Sequence, residues 1–201
     1  MRFVKSQSTT YKSNSGNPGA PSCSPSVGER AGVRSARANG YTLLMSLPQG
    51  FAIHQASTAD LDTLVFHRRA MFEDMGYADK ASLDSMAAKF RSWLLARMNS
   101  ADYLAWLVSA PDGSVAAGAG LWLMDWPPHM IGTGTRRGNI VNVYTAESHR
   151  RLGLARELMT TLLVWCRANR IDTVILHASP SGRGLYESLG FQATNEMRLS
   201  L

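Results

Sequence analysis

Residues 139–156, NIVNVYTAESHRRLGLAR, constrain this chain more than any other stretch. The segment opens with Ile140, Val141, Val143 and Tyr144, apolar and mostly β-branched or aromatic, which suit a pleated strand. It closes on Arg150-Arg151-Leu152-Gly153-Leu154-Ala155, a tight run that feeds a helix. The small residues Gly153 and Ala155 let another group approach the backbone closely. Free N–H groups at a helix start, together with the helix dipole, favour an anion there. Arg150 and Arg151 add forked donors suited to phosphate. A strand, a turn and a helix start of this kind can cradle a pyrophosphate. The plainer alternative is an ordinary helix start with solvated charges, and the turn by itself does not separate the two.

Rival phosphate motifs fail on composition or context. No Gly-Lys-Ser/Thr closes a P-loop. Gly132, Gly134 and Gly138 are spaced GxGxxxG and precede a strand, whereas a dinucleotide fingerprint needs GxGxxG opening a helix.

Length and charge bound the rest. With 201 residues, 45% hydrophobic and 18% charged, the chain can bury one sizeable core. Its net charge is +6, of which Arg2, Lys5, Lys12, Arg30, Arg34 and Arg37 against Glu29 place +5 in residues 1–44. The remaining residues are close to neutral, so the basic balance does not argue for a nucleic-acid-binding domain. No apolar run approaches the roughly 18 residues that span a membrane. Cys23 and Cys166 have no metal or redox spacing, Cys166 reads as a buried small hydrophobe, and a reducing, cytoplasmic setting is expected. None of His54, His67, His129 and His149 has metal-ligand spacing.

Residues 1–44 are rich in Ser, Gly, Asn and Pro and show no sustained period, which predicts a disordered basic tail. An organelle address, or a true start at Met45, are the other readings of this stretch. From residue 45 onward one domain is expected. Residues 51–55 alternate and read as a strand. Ser57-x-x-Asp60 is a candidate capping box. Leu61, Leu64, Val65, Arg68, Met71, Phe72 and Met75 recur at helical spacing, and Gly76 stops them. A second helix is predicted over 79–98. Residues 103–110 and 115–126 form a hairpin about Pro111-Asp112-Gly113-Ser114, with Gly118 and Gly120 marking a bend, a bulge or a close approach. The strand 139–145 follows, then a helix over 154–168 with Leu154, Leu158, Leu162 and Trp165 on one face. Strand 172–178, a short helix within 180–189 and a last strand over 191–199 complete the chain. The order β-αα-β-β-β-α-β-α-β predicts an α/β (α+β) fold, a mixed sheet with helices on both faces.

Arg150-x-x-Gly153-x-Ala155 after Val143-Tyr144-Thr145 resembles the acyl-CoA loop of the GNAT superfamily of N-acetyltransferases. Gly184-Leu185-Tyr186-Glu187-Ser188-Leu189-Gly190-Phe191 resembles that family's penultimate helix and the start of the strand after it. The close resemblance covers residues 138–201, residues 51–126 fit more loosely, and residues 1–44 do not fit. The element order is also the family's, which implies a mostly antiparallel central sheet.

The resemblance implies transfer of an acetyl group from acetyl-CoA to a primary amine of a small molecule or peptide, by direct attack on the thioester and without a metal. The diphosphate would sit on the backbone of Arg151, Leu152, Gly153, Leu154, Ala155 and Arg156, with Arg150 adding charge. The pantetheine arm would pair with Val143 and Thr145 as an added strand does. An N–H of Val143 or Tyr144 would polarise the carbonyl. Tyr186 matches the family's tyrosine that protonates the leaving thiolate. For the base, Glu73 leads a set that includes Asp74 and His177, although a solvated helix end is the better reading of each carboxylate alone and a lone His at a strand end is more often structural. The acceptor site is expected among the helical pair, the hairpin end and residues 127–137. His67, Arg68 and Arg69 would meet an acidic acceptor there, or form a basic exposed face. Met71, Phe72, Met75 and Tyr77 suit an apolar pocket or simply the core, and Trp122 and Trp126 would close the cleft. A homodimer is frequent in the family. Two other functions are compatible: a non-catalytic acyl-CoA sensor, and acylation of an aminoacyl-tRNA.

Overall fold

A computed structural model describes residues 47–130, 132 and 134–200. The tail over 1–44 and the alternative start at Met45 lie outside the described residues.

Nine elements follow in order: β1 (Ala52–Gln55), α1 (Leu61–Asp74), α2 (Lys80–Asn99), β2 (Tyr103–Ser109), β3 (Val115–Asp125), β4 (Arg136–Thr145), α3 (Leu154–Ala168), β5 (Val174–Leu176) and α4 (Arg183–Ser188). The strands lie in one sheet in the order β1-β2-β3-β4-β5. The first three pairings are antiparallel and β4–β5 is parallel. This is the mixed, mostly antiparallel sheet that the element order and the resemblance imply.

Helices cover both faces. On one face Leu154, Leu158, Met159 and Leu162 of α3 pack with Trp106, Val108, Leu121 and Ile140. The heptad-like spacing of those α3 residues is what turns its apolar stripe onto the sheet. On the other face Leu61 and Leu64 of α1 and Phe90 and Leu94 of α2 meet Tyr103, Ala105 and Leu107. The strand period of two sends alternate residues of β2 to the two cores. Cys166 is buried in the α3 core, and burial pushes its thiol up to about 11. The entry to α1 is fixed by the expected capping box: the Ser57 N–H donates to Asp60 Oδ2 at 2.8 Å, and Ser57 Oγ accepts from the Ala59 N–H at 3.2 Å. Asp79 caps α2, accepting from the Ser82 N–H at 2.9 Å.

Two expectations need correction. Residues 191–200 form no strand. Thr194, Asn195 and Glu196 interrupt the apolar alternation there, and Met197 and Leu199 stay 94% and 82% exposed. The strand expected over 172–178 is only Val174–Leu176, so it offers little edge for a further strand to join. In the other direction, β4 begins at Arg136, three residues before the apolar run, because Arg136 and Arg137 extend its pairing with Asp125 and Met124.

Both glycines of β3 serve close approach. A Cβ on Gly118 would lie 2.7 Å from His67 Nδ1, and one on Gly120 would lie 1.9 Å from the Tyr103 hydroxyl. His67 is therefore not part of a basic exposed face. It is 2% exposed, turned toward the bare backbone of Gly118, and burial lowers its pKa to about 4, so it is neutral.

Candidate active site

The site begins with an irregularity in β4. Gly118 pairs with Tyr144 and Gly120 with Val141, so two residues, Asn142 and Val143, oppose the single residue Ala119. Asn142 takes a positive φ of 56° to accommodate the extra residue. Asn tolerates this left-handed geometry better than most side chains. A bulge of this kind bends its strand and often lies beside an active site.

The bulge separates a paired half of β4 from an unpaired one. β5 pairs with Gly138, Asn139 and Ile140 only. Beyond them, among the described residues, the edge from Val141 to Thr145 that faces away from β3 has no strand beside it. Val143, Tyr144 and Thr145 thus lie where an extended ligand can add as a strand.

The free edge runs into the turn before α3. The Thr145 carbonyl accepts from Arg150 Nε at 3.2 Å, which ties the end of β4 to that turn. Arg151 and Gly153 have φ of 64° and 80°, and Gly153 is the N-terminal cap of α3. Left-handed residues in a turn are one way in which successive N–H groups come to share a direction. Among the described residues, none of the N–H groups from Arg151 to Ala155 donates to a backbone carbonyl outside the helix. A helix interior bond is also out of reach for the first-turn donors. Among the described residues the turn therefore has spare backbone donors, with no side chain at Gly153 beside them.

The named side chains do different work. Leu154 is buried in the core, so its side chain is turned away from solvent at the turn. Arg150 forms an ion pair with Asp74 and joins the end of α1 to the turn. Arg156 donates to Ser188 Oγ at 2.9 Å and pins α4 against α3. Arg151 and Leu152 are exposed. Tyr186, on α4, is half-buried, edge-on to Phe191 with ring centroids 6.1 Å apart. Burial raises its phenol pKa, so the hydroxyl is protonated at neutral pH. Glu73 is exposed and paired with Arg69 at 3.0 Å. Arg69 also pairs with Asp84. His177 lies 3.2 Å from Glu196, in an exposed pair apart from α1.

A cavity of about 920 Å³ lies against α1, α2, β3 and β4. Arg68, Met86, Phe90, Trp93, Trp122 and Val141 line it. The helical pair and Trp122 are where the acceptor site was expected. Met71, Phe72, Met75, Tyr77 and Trp126 are not among its walls. Arg137 instead stacks over Trp126, 4.1 Å from its ring.

A polar chain joins cavity and bulge. Arg68 Nη1 donates to Asn142 Oδ1 at 2.7 Å, and Asn142 Nδ2 donates to the Tyr103 hydroxyl at 3.0 Å. Tyr103 is 2% exposed, and burial pushes its pKa up to about 12, so it stays neutral. Sequence reasoning missed Asn142 and Tyr103. The available signal was an Asn in the middle of an otherwise apolar strand, a residue type suited to a left-handed kink.

Among the described residues, no group of three His, Cys, Asp or Glu side chains is placed to hold a metal. No helix among them is long and apolar enough to cross a membrane.

Comparison with known proteins agrees with this geometry. Residues 67–191 match the model of the acetyltransferase (GNAT) family. A GCN5-related N-acetyltransferase from Ralstonia eutropha JMP134 shares 33% identity over 76% of this chain and 99% of its own, with a TM-score of 0.71. A predicted acetyltransferase from Clostridium acetobutylicum, whose structure was solved with acetyl-CoA, shares 25% identity over 75% of this chain and 95% of its own, with a TM-score of 0.67. Glucosamine-6-phosphate N-acetyltransferase from Arabidopsis thaliana shares the fold at 17% identity, over 75% of this chain and 97% of its own, with a TM-score of 0.53. No curated relative matches by sequence. With its family model spanning more than half its length and its bulged β4 running into a small-residue turn, the chain belongs to the GNAT family of acetyltransferases.

Proposed function

We propose that this acetyltransferase moves an acetyl group from acetyl-CoA to the primary amine of a small molecule or peptide. The observation that carries the proposal is the unpaired edge of β4 leading into the unpaired N–H groups before α3. The two features suit the extended arm and the diphosphate of one ligand. The coenzyme supplies an activated thioester; the chain's residues do the rest.

In this reading Val143 and Thr145 hold the arm by backbone pairing, and the turn from Arg151 to Arg156 holds the diphosphate. Arg150, already paired with Asp74, positions the turn more than it neutralises phosphate. An N–H of Val143 or Tyr144, aimed by the bulge, polarises the carbonyl; one such donor is typically worth about 2.7–4 kcal/mol. Tyr186 gives its proton to the departing sulfur. A phenol with a raised pKa keeps that proton until a thiolate forms. Glu73, at the exposed end of α1, is the candidate that takes the amine's proton, directly or through water. A cytoplasmic setting and a homodimer belong to the same reading. The nearly neutral domain disfavours an RNA-bound acceptor.

Thiol release from acetyl-CoA against a panel of amines tests this. Release that depends on an added amine, with the acetylated product found by mass spectrometry, is expected. Release that is equal with and without every amine would contradict it.

A further inference from the structure

The cavity beside the bulge carries a charge that no carboxylate among the described residues pairs with. Arg68 is half-buried between rings, 4.5 Å from the Phe90 centroid and 5.1 Å from that of Phe72. Among the described residues its only hydrogen bond goes to the neutral amide of Asn142, and no carboxylate forms a salt bridge with it. Its Nε is shut away from solvent without a partner. The neighbouring arginine differs: Arg69 is held by two acids on α1 and α2. The cavity wall contains no Asp or Glu, and Lys89 adds a second cation at its exposed rim. A desolvated guanidinium with spare forked donors is costly alone and is relieved by a carboxylate.

The position of this cation narrows the ligand. Asn142, its partner, immediately precedes Val143 on the bulge, so the anion would lie close to the reacting end of the site. Around it, Met86, Phe90, Trp93, Trp122 and Val141 form an apolar wall. Trp93 stands edge-on to Trp122, with centroids 5.2 Å apart, and stacks on Phe90 at 5.9 Å, so the wall is aromatic as well as apolar.

On the reading that this chain is an amine acetyltransferase, we propose that its acceptor is an α-amino acid with an aromatic or large apolar side chain. Arg68 binds the carboxylate, and the Phe90–Trp93–Trp122 wall takes the side chain. The amine of such a substrate is separated from its carboxylate by one carbon, which suits an arginine bonded at 2.7 Å to a residue of the bulge itself. The transfer balances simply: the amine nitrogen bonds the acetyl carbon, the carbon–sulfur bond breaks, the nitrogen gives up one proton to a base, and the departing thiolate takes up one proton to leave as the thiol. Polycationic acceptors are disfavoured by the same cavity, which offers them no acid.

Matched pairs test the assignment. L-Phenylalanine against 2-phenylethylamine, and L-tryptophan against tryptamine, differ only in the carboxylate. The amino acid should exceed its decarboxylated partner in kcat/KM by about tenfold to a hundredfold, the usual worth of a hydrogen bond to a charged group. Arg68→Met should remove that preference, and Arg68→Lys should retain part of it. Because Arg68 also holds Asn142, a second measurement uses the unaltered chain and needs no turnover. Quenching of tryptophan fluorescence should show N-acetyl-L-phenylalanine binding at least about tenfold tighter than N-acetyl-2-phenylethylamine. Tighter binding of the anionic product without any turnover would support the pocket assignment and count against acetyl transfer alone. Equal binding of the two, or faster turnover of the neutral amine or of an aminoglycoside, would overturn the proposal.

Discussion

Replacing Tyr186 with Phe lowers kcat by about a hundredfold to ten-thousandfold, the typical contribution of a positioned general acid. The substitution keeps the ring that meets Phe191 and removes only the hydroxyl. No hydrogen bond to that hydroxyl is found among the described residues, so its loss breaks no structural contact there. Unfolding midpoint and coenzyme affinity should therefore hold while turnover falls, which is the pattern of an interaction made only in the transition state. The steady-state rate of thiol release at saturating amine measures this directly. A variant with unaltered kcat would remove Tyr186 from the acid role and leave it as a packing residue of α4.

Gly120→Ala gives the second large effect, and it is on stability. The new methyl would lie 1.9 Å from the Tyr103 hydroxyl and 2.5 Å from the ring carbon that bears it. Tyr103 has little room to yield, being 2% exposed and edge-on to Trp93 at 5.8 Å. Either β3 shifts or the tyrosine leaves its place and drops its bond to Asn142. Overpacking of this kind typically costs about 1–3 kcal/mol, and a lost buried hydrogen bond adds about 1 kcal/mol. A loss of about 3 kcal/mol in urea unfolding is expected. Tyr103→Phe, which loses the hydrogen bond without a clash, should cost clearly less. Equal stability of Gly120→Ala and the parent would mean that β2 and β3 are not packed this closely.

Much of this architecture was legible in residue spacing, because local rules and tertiary packing agree there. The α3 helix over 154–168 follows from one apolar stripe between a glycine and a polar stop. The hairpin about Pro111 to Ser114 and the cap at Ser57 are matters of local backbone chemistry. What lay hidden depends on partners distant in sequence. His67 sits beside Arg68 and Arg69 and looks like one of three basic surface residues. It is buried because Gly118, some fifty residues away, leaves a hollow for it. Arg68 meets Asn142 across a separation of 74 residues. The bulge carries no glycine at the kinked position, so only the tolerance of Asn for positive φ hinted at it. The strand expected over 191–199 failed because alternation alone does not supply a neighbouring edge; β5 is too short to provide one.

The anion cradle was read from Arg150-x-x-Gly153-x-Ala155 together with the strand before it. The two outer arginines of the motif have protein partners: Arg150 pairs with Asp74 and Arg156 donates to Ser188. The motif arginines thus serve the shape of the turn as much as its charge.

The most direct test of this account is heat denaturation of the full chain with and without acetyl-CoA, run in parallel on Gly153→Val. A ligand that binds only the folded state stabilises it by mass action, about 2.7 kcal/mol at a hundredfold excess over Kd. The parent should show a rise in Tm that grows with coenzyme concentration. Gly153→Val, with a β-branched side chain forced to a φ of 80° in the cradle, should fold less stably and lose the coenzyme-dependent rise. A folded parent whose Tm is indifferent to acetyl-CoA, or a Gly153→Val variant that keeps the full shift, would contradict the placement of the coenzyme on this turn.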